Sequence, residues 1–146
     1  MDRVMHGRVL VAGEAQGEAL VSAEPLSFWG GYDQHSGEII DRRHPLSGQV
    51  AAGRILALPS TRGSSTTTAI LLEAIRLGTA PAALLTAGPD SFLALASIVA
   101  DEMYQKPLPI IALQPEDFSM LKTGQGVRIF DDGTVEVNPP QEETIS

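Results

Sequence analysis

The chain has 146 residues, 43% of them hydrophobic and 19% charged, with a net charge of −8 and no cysteine. That composition suits one folded domain and excludes a disordered chain. The acidity argues against non-specific nucleic-acid binding and against an anionic membrane surface. The missing cysteines exclude disulfides, thiol nucleophiles and any Cys-held zinc or iron–sulfur cluster supplied by this chain alone.

No stretch reaches the ~20 apolar residues of a membrane span. The first residues, MDRVMHGRVLVAG, lack the long apolar core of a signal peptide, so the cytoplasm is the expected compartment. Arg3 to Val11 reads as a first strand and Gly17 to Ser22 as a second, with Glu14-Ala15-Gln16 as a connection of hairpin type. Pro25, Leu26, Phe28 and Trp29 follow, and Gly30-Gly31-Tyr32-Asp33 breaks regular structure. Glu38-Ile39-Ile40 is a short expected strand. Asp41, Arg42, Arg43 and His44 then stand together before Pro45. A solvated polar loop accounts for Arg42 and Arg43. His35 and His44 with Asp33 and Asp41 match no zinc or non-haem iron spacing.

The most informative stretch is LALPSTRGSSTTTAILLEAIRLG, residues 56 to 78. Ile55 to Leu58 reads as a buried strand that Pro59 ends, having no N–H to donate. From Thr66 the apolar residues recur at helical steps, and Gly78 is a good stop. Arg62-Gly63-Ser64-Ser65 therefore sits at a strand–turn–helix junction. Helix-start N–H groups lack internal partners, the macrodipole makes that end positive, and Arg62 adds a fork suited to carboxylate or phosphate. An ordinary capped helix explains one hydroxyl, but five hydroxyl residues, Ser64 to Thr68, follow Arg62-Gly63. The junction suits an anion held beside a serine.

Ala82 to Leu85 reads as another buried strand. Phe92 to Met103 is a helix whose apolar residues run almost all the way round, which predicts packing on more than one side. Leu108 to Leu113 is a third buried strand, and Pro115 opens a short helix through Leu121. Gly124 to Phe130 and Thr134 to Val137 form a hairpin about Asp131-Asp132-Gly133. Residues 1–138 read as one domain and 139–146 as a polar tail. The alternation in the middle favours parallel strands, and the whole predicts a layered α/β domain with a partly closed sheet and helices outside it. There is no P-loop, since the upstream glycine and the lysine are missing. Gly124-x-Gly126 lies in the hairpin and is no dinucleotide fingerprint.

GGYDQHSGEIIDRRHPLSG followed by GRILALPSTRGSS resembles the small subunit of the aconitase X proteins, over roughly residues 6 to 137. The resemblance implies a swivelling β/β/α domain and a hydro-lyase subunit, with cis-3-hydroxy-L-proline as the favoured substrate and mevalonate 5-phosphate as the alternative. It implies a large partner chain that carries an iron–sulfur cluster or iron. It places the catalytic base at Ser64, with Ser65 as competitor, and substrate contacts at Arg62, Gly63, Tyr32, Asp33 and His44. The form Arg62-Gly63-Ser64 is similar to the bacterial and fungal hydroxyproline dehydratases, whereas the run Thr66-Thr67-Thr68 departs from the family pattern. Two other readings compete. A phosphohistidine carrier needs a histidine at the helix start, and none lies there. A non-catalytic anion-binding or assembly module would use the same loop without chemistry.

Overall fold

The structure, a computed structural model, describes residues 3–28, 30–60, 65–88 and 91–138. In chain order the elements are β1 (Arg3–His6), β2 (Arg8–Val11), β3 (Ala15–Val21), β4 (Ile55–Leu58), α1 (Ser65–Leu77), β5 (Ala83–Thr86), α2 (Ser91–Tyr104), β6 (Ile110–Ala112), α3 (Pro115–Phe118), β7 (Gly126–Ile129) and β8 (Thr134–Asn138). The strands form one eight-stranded sheet in the order β1-β8-β7-β3-β4-β5-β6-β2.

The two edge strands of that order are consecutive in the chain, separated only by Gly7. β1 pairs antiparallel with β8, and β2 pairs antiparallel with β6. One extended segment thus bends at Gly7 and brings the two ends of the sheet order together in a nearly closed barrel, the partly closed sheet expected from the sequence. The bend needs glycine. A Cβ at Gly7 would lie 2.2 Å from Ile111 Cγ2 and 2.9 Å from the Ala112 carbonyl oxygen. The expected hairpin between the first two strands does not form. β2 is taken by β6, and β3 pairs with β7 through Ala15–Glu18 and with β4 through Ala19–Val21. The short link around Gly13 crosses between distant strands of the barrel instead.

β3, β4, β5 and β6 run parallel. β4, β5 and β6 are buried along their whole length, which explains their continuous apolar sequences. Alternate side chains serve two cores, because successive residues of a strand face opposite ways. Ile55, Ala57, Ala83, Leu85 and Ile111 fill the barrel with Met5, Val127, Ile129, Val135 and Val137. Leu56, Leu58, Leu84 and Ile110 face outward, against Leu71, Ala74 and Ile75 of α1 and Leu93, Ala96 and Ala100 of α2. The third part of this outer layer is the irregular segment 26–51, which contributes Leu26, Phe28, Tyr32, Ile39, Leu46 and Ala51. Its expected strand at Glu38–Ile40 reduces to single bridges, Tyr32 with Ile39 and Glu38 with Val50. Ser97 of α2 holds the approach to β6, donating to the Leu108 carbonyl at 2.6 Å and accepting its N–H at 2.7 Å.

α2 packs on both the sheet and α1, through Leu93, Ala96, Ser97, Ala100 and Tyr104, and leaves Leu95, Ile98 and Met103 51%, 49% and 61% exposed. One helical expectation is corrected. α3 stops at Phe118 and turns, with Phe118 and Leu121 plugging the barrel core. No helix of the described residues is long and apolar enough to cross a membrane.

Candidate functional site at the carboxyl ends of the parallel strands

In α/β folds, open or barrel-like, ligands bind beyond the carboxyl ends of the parallel strands, where the loops diverge. Here those ends are Val21, Leu58, Thr86 and Ala112. From the first two the chain departs into Ser22–Ser27 and into Pro59–Ser60. Ser22 N–H still bonds to the Ala57 carbonyl at 3.0 Å, so the Ser22–Glu24 turn stands directly beside the exit of β4.

His44 fastens a second loop to this turn. It is buried, at 7% exposure. The Leu46 N–H donates to His44 Nδ1 at 3.1 Å, so that nitrogen carries no proton in the neutral ring and Nε2 does. Nε2 lies 3.3 Å from the Glu24 carbonyl oxygen and 3.4 Å from Ser22 Oγ. Ser22 Oγ in turn accepts the Glu24 N–H at 3.0 Å and donates to the Glu24 carbonyl. The loop itself is tightened by an Asx turn, in which the Arg43 N–H donates to Asp41 Oδ1 at 3.0 Å. Both ring nitrogens of His44 are thus engaged within the chain. It ties residues 41–46 to the end of β3.

Between these two loops lies a cavity of about 430 Å³, lined by Glu24, Pro25, Ser27, Asp41, Arg43 and His44. Arg43 is exposed, and its guanidinium and the Glu24 carboxylate have no partner among the described residues. Sequence reasoning passed over both. Arg43 sits among neutralising charges in the sequence, and Glu24 carries no motif. The one available signal was that Ser22-Ala23-Glu24-Pro25 follows directly on a strand end.

The other expected site residues fall elsewhere. Arg62, Gly63 and Ser64 lie outside the described residues, as does Trp29. Ser65 is the first residue of α1. Tyr32 and Asp33, which the resemblance groups with Arg62 and Gly63 as substrate contacts, lie at the other end of α1 from its start. Tyr32 Oη donates to the Thr79 carbonyl at 2.7 Å, and Thr79 Oγ1 donates to the Gln34 carbonyl. Thirteen helical residues, about 20 Å at 1.5 Å each, separate Thr79 from the start. The Tyr32 ring is buried and packs against Phe28 with centroids 5.1 Å apart. Asp33 closes its own loop. The His35 N–H, at 2.8 Å, and the Ser36 hydroxyl hold its carboxyl below the ordinary range. Only His44, of these three, stands at the carboxyl ends.

Burial pushes the Tyr32 hydroxyl well above its ordinary value of 10.0. The unfolded chain therefore loses this proton near pH 10 while the folded chain keeps it. Stability from the group is complete below that pH and falls as pH rises beyond it. Tyr32→Phe should lower stability at pH 7 by about 1 kcal/mol, the net value of one hydrogen bond. The gap between the two proteins should narrow towards pH 11. Urea denaturation at both pH values checks this, and a gap that widens in alkali contradicts it.

Among the described residues no three His, Asp or Glu side chains converge to hold a metal ion. The sequence resemblance assigns the iron or iron–sulfur centre to a larger partner chain.

The aconitase X swivel domain family matches residues 4–137. The chain is 49% identical over 139 residues to a cis-3-hydroxy-L-proline dehydratase of Pseudomonas aeruginosa, covering 92% of this chain and 24% of that protein. It is 39% identical to a phosphomevalonate dehydratase small subunit of Thermococcus gammatolerans, covering 91% of this chain and 96% of that one. The fold superposes on the crystal structure of Thermococcus kodakaraensis aconitase X, holo-form, with a TM-score of 0.82 and 34% identity, over 92% of this chain and 98% of that one. The chain spans about a quarter of the length of the cis-3-hydroxy-L-proline dehydratases it matches. The nearly closed barrel bent at Gly7, the helix-covered parallel strands and these matches agree, and the chain belongs to the aconitase X swivel domain family.

Proposed function

We propose that this swivel domain is the smaller part of a dehydratase that removes water from a 3-hydroxy acid, with cis-3-hydroxy-L-proline as substrate, and that a larger partner chain completes the site. The observation that carries this reading is the 49% identity to a relative of that name over nearly all of this chain. A second reading, mevalonate 5-phosphate as substrate, is supported by the near-complete coverage of the small-subunit relatives.

The proposed base is Ser64, with Ser65 as the competing position. Dehydration removes the proton α to the carboxylate and breaks the C3–O bond. The C–H electron pair becomes the C2=C3 double bond, and the hydroxyl leaves as water after taking a proton. A serine removes such a proton only as an alkoxide. The N–H groups at the start of α1 and the guanidinium of Arg62 would stabilise that charge, and Gly63 would let substrate approach the backbone. His44 does not enter this chemistry. It fixes the loop that faces the same end of the sheet. The partner would hold any metal the reaction uses, and no step assigned to this chain runs through one.

Co-expression with a larger chain of the same family, followed by a screen of both substrates, tests the proposal. Product is expected from cis-3-hydroxy-L-proline with the complex and from neither substrate with this chain alone. Turnover by the isolated chain, or iron bound to it in stoichiometric amount, contradicts the two-part reading.

A further inference from the structure

We infer that the cavity between Ser22–Ser27 and Asp41–His44 is a subsite for a zwitterion, with Arg43 taking the carboxylate and Glu24 the ammonium of a small cyclic amino acid. This rests on the dehydratase reading for its place in the reaction, but not for the binding itself.

Three features point to it. The cavity, about 430 Å³, lies in the range of roughly 300–1,000 Å³ usual for small-ligand sites. Its Glu24–Ser27 wall follows directly on the end of β3, where the Ser22 N–H still bonds to the Ala57 carbonyl of β4. Its walls carry both signs of charge, and the two that matter are uncommitted. The Arg43 guanidinium and the Glu24 carboxylate have no described partner, whereas Asp41 already spends one oxygen on the Arg43 N–H. An arginine fork matches a carboxylate in two parallel bonds.

The mixed charge is also selective. A phosphorylated acid would bring several negative charges against Glu24 and Asp41, in a chain that already carries −8. Like charges on one cavity wall disfavour binding, and specificity arises as much from the repelled ligand as from the accepted one. A cyclic amino acid meets Glu24 with its ammonium and suffers no such repulsion. The walls are fixed before ligand arrives, because His44 bonds to Leu46 on its own loop and reaches Glu24 and Ser22 on the other. A preformed site loses less on binding than one that must be ordered.

The probes are L-proline, which has the ring and both charges but no hydroxyl to lose, and tetrahydrofuran-2-carboxylate, which has the same ring without the ammonium. Amide NMR shifts of the full chain are followed during titration with each. L-Proline should shift Ser22–Ser27 and Asp41–His44 and bind about tenfold more tightly than the oxygen analogue, the effect of one charge contact near 1.4 kcal/mol. Glu24→Gln should erase that difference, and Arg43→Gln should weaken both ligands. Equal binding of the two probes overturns the inference. So does an unchanged preference in Glu24→Gln, an absence of shifts at these residues, or stronger shifts there with inorganic phosphate. Turnover in the complex is scored separately. A complex that dehydrates no 3-hydroxy acid while this discrimination persists would refute the dehydratase reading and leave the subsite standing.

Discussion

Ser64→Ala should lower turnover of the reconstituted complex by at least ~10² to 10⁴, the usual contribution of a positioned acid or base. The fold should hardly register the change. If the hydroxyl also caps α1, its loss costs about 1 kcal/mol. The reason for so unequal an effect lies in the position. Ser64 directly precedes α1, whose first turn carries no acidic side chain to lower the positive potential there. A developing alkoxide gains from that potential, while a methyl group gains nothing. Ser65→Ala is the control. Ser65 is the first helical residue, a position where loss of a hydroxyl should affect stability as much as rate. Arg62→Ala should chiefly raise KM if the guanidinium holds a carboxylate, because that contact exists in ground and transition states alike. The measurement is steady-state kinetics of complexes matched for assembly and metal content. Near-normal turnover in Ser64→Ala with loss in Ser65→Ala would move the base by one position. Full activity in both variants would leave the junction as a capped helix and nothing more.

Gly31→Ala should destabilise the fold by about 3 kcal/mol, the upper end of ordinary overpacking. For a domain of this size that is a fall in Tm of roughly 6–12 °C. The added Cβ would lie 2.1 Å from the Ser27 carbonyl oxygen and 3.1 Å from Leu26 Cδ1. The oxygen belongs to a backbone turn that cannot swing aside, since Tyr32 N–H bonds to the Phe28 carbonyl at 3.2 Å and Ile40 N–H to the Gly31 carbonyl at 2.9 Å. Gly30 gives the contrast. A Cβ there meets nothing within 4 Å, and only its φ of 73° disfavours a side chain, so Gly30→Ala should cost about 1 kcal/mol. Thermal melts of the two variants separate the effects. If Gly31→Ala melts like the parent, the close approach to Ser27 is not a feature of the fold. If it melts lower but its reconstituted complex retains kcat below the melting point, the paired glycines serve packing and not substrate.

That contrast shows why the Gly-Gly-Tyr-Asp stretch was readable as important but not as to its purpose. Glycine, aromatic and carboxylate in one loop look like a binding loop in sequence. In space, Tyr32 spends its hydroxyl on Thr79, and Asp33 spends its carboxylate on His35 and Ser36. A sequence records residue types but not which backbone groups a loop must satisfy. The same limit explains α2. Its apolar residues run round the helix, and only the sheet behind it decides that Leu93, Ala96 and Ala100 are covered while Leu95, Ile98 and Met103 are not.

The sequence by itself determined the parts whose cause is local. The continuous apolar runs of β4, β5 and β6, the helix that Gly78 ends, and the hairpin about Asp131-Asp132-Gly133 follow from periodicity and turn chemistry, which act over a few residues. The family and its swivelling fold were legible too, because ordered motifs carry that information without distances. Only the tertiary structure decided what depends on pairing between remote segments. It split Arg3–Val11 at Gly7 and gave the halves to β8 and β6, so that the expected hairpin gave way to a nearly closed barrel. It also set Glu24 and Arg43, nineteen positions apart in the numbering, on the walls of one cavity, with His44 as the tie. Barrel closure and loop docking are bonds between backbones far apart in the chain, and no local pattern of residue types encodes which remote carbonyl a given N–H will meet.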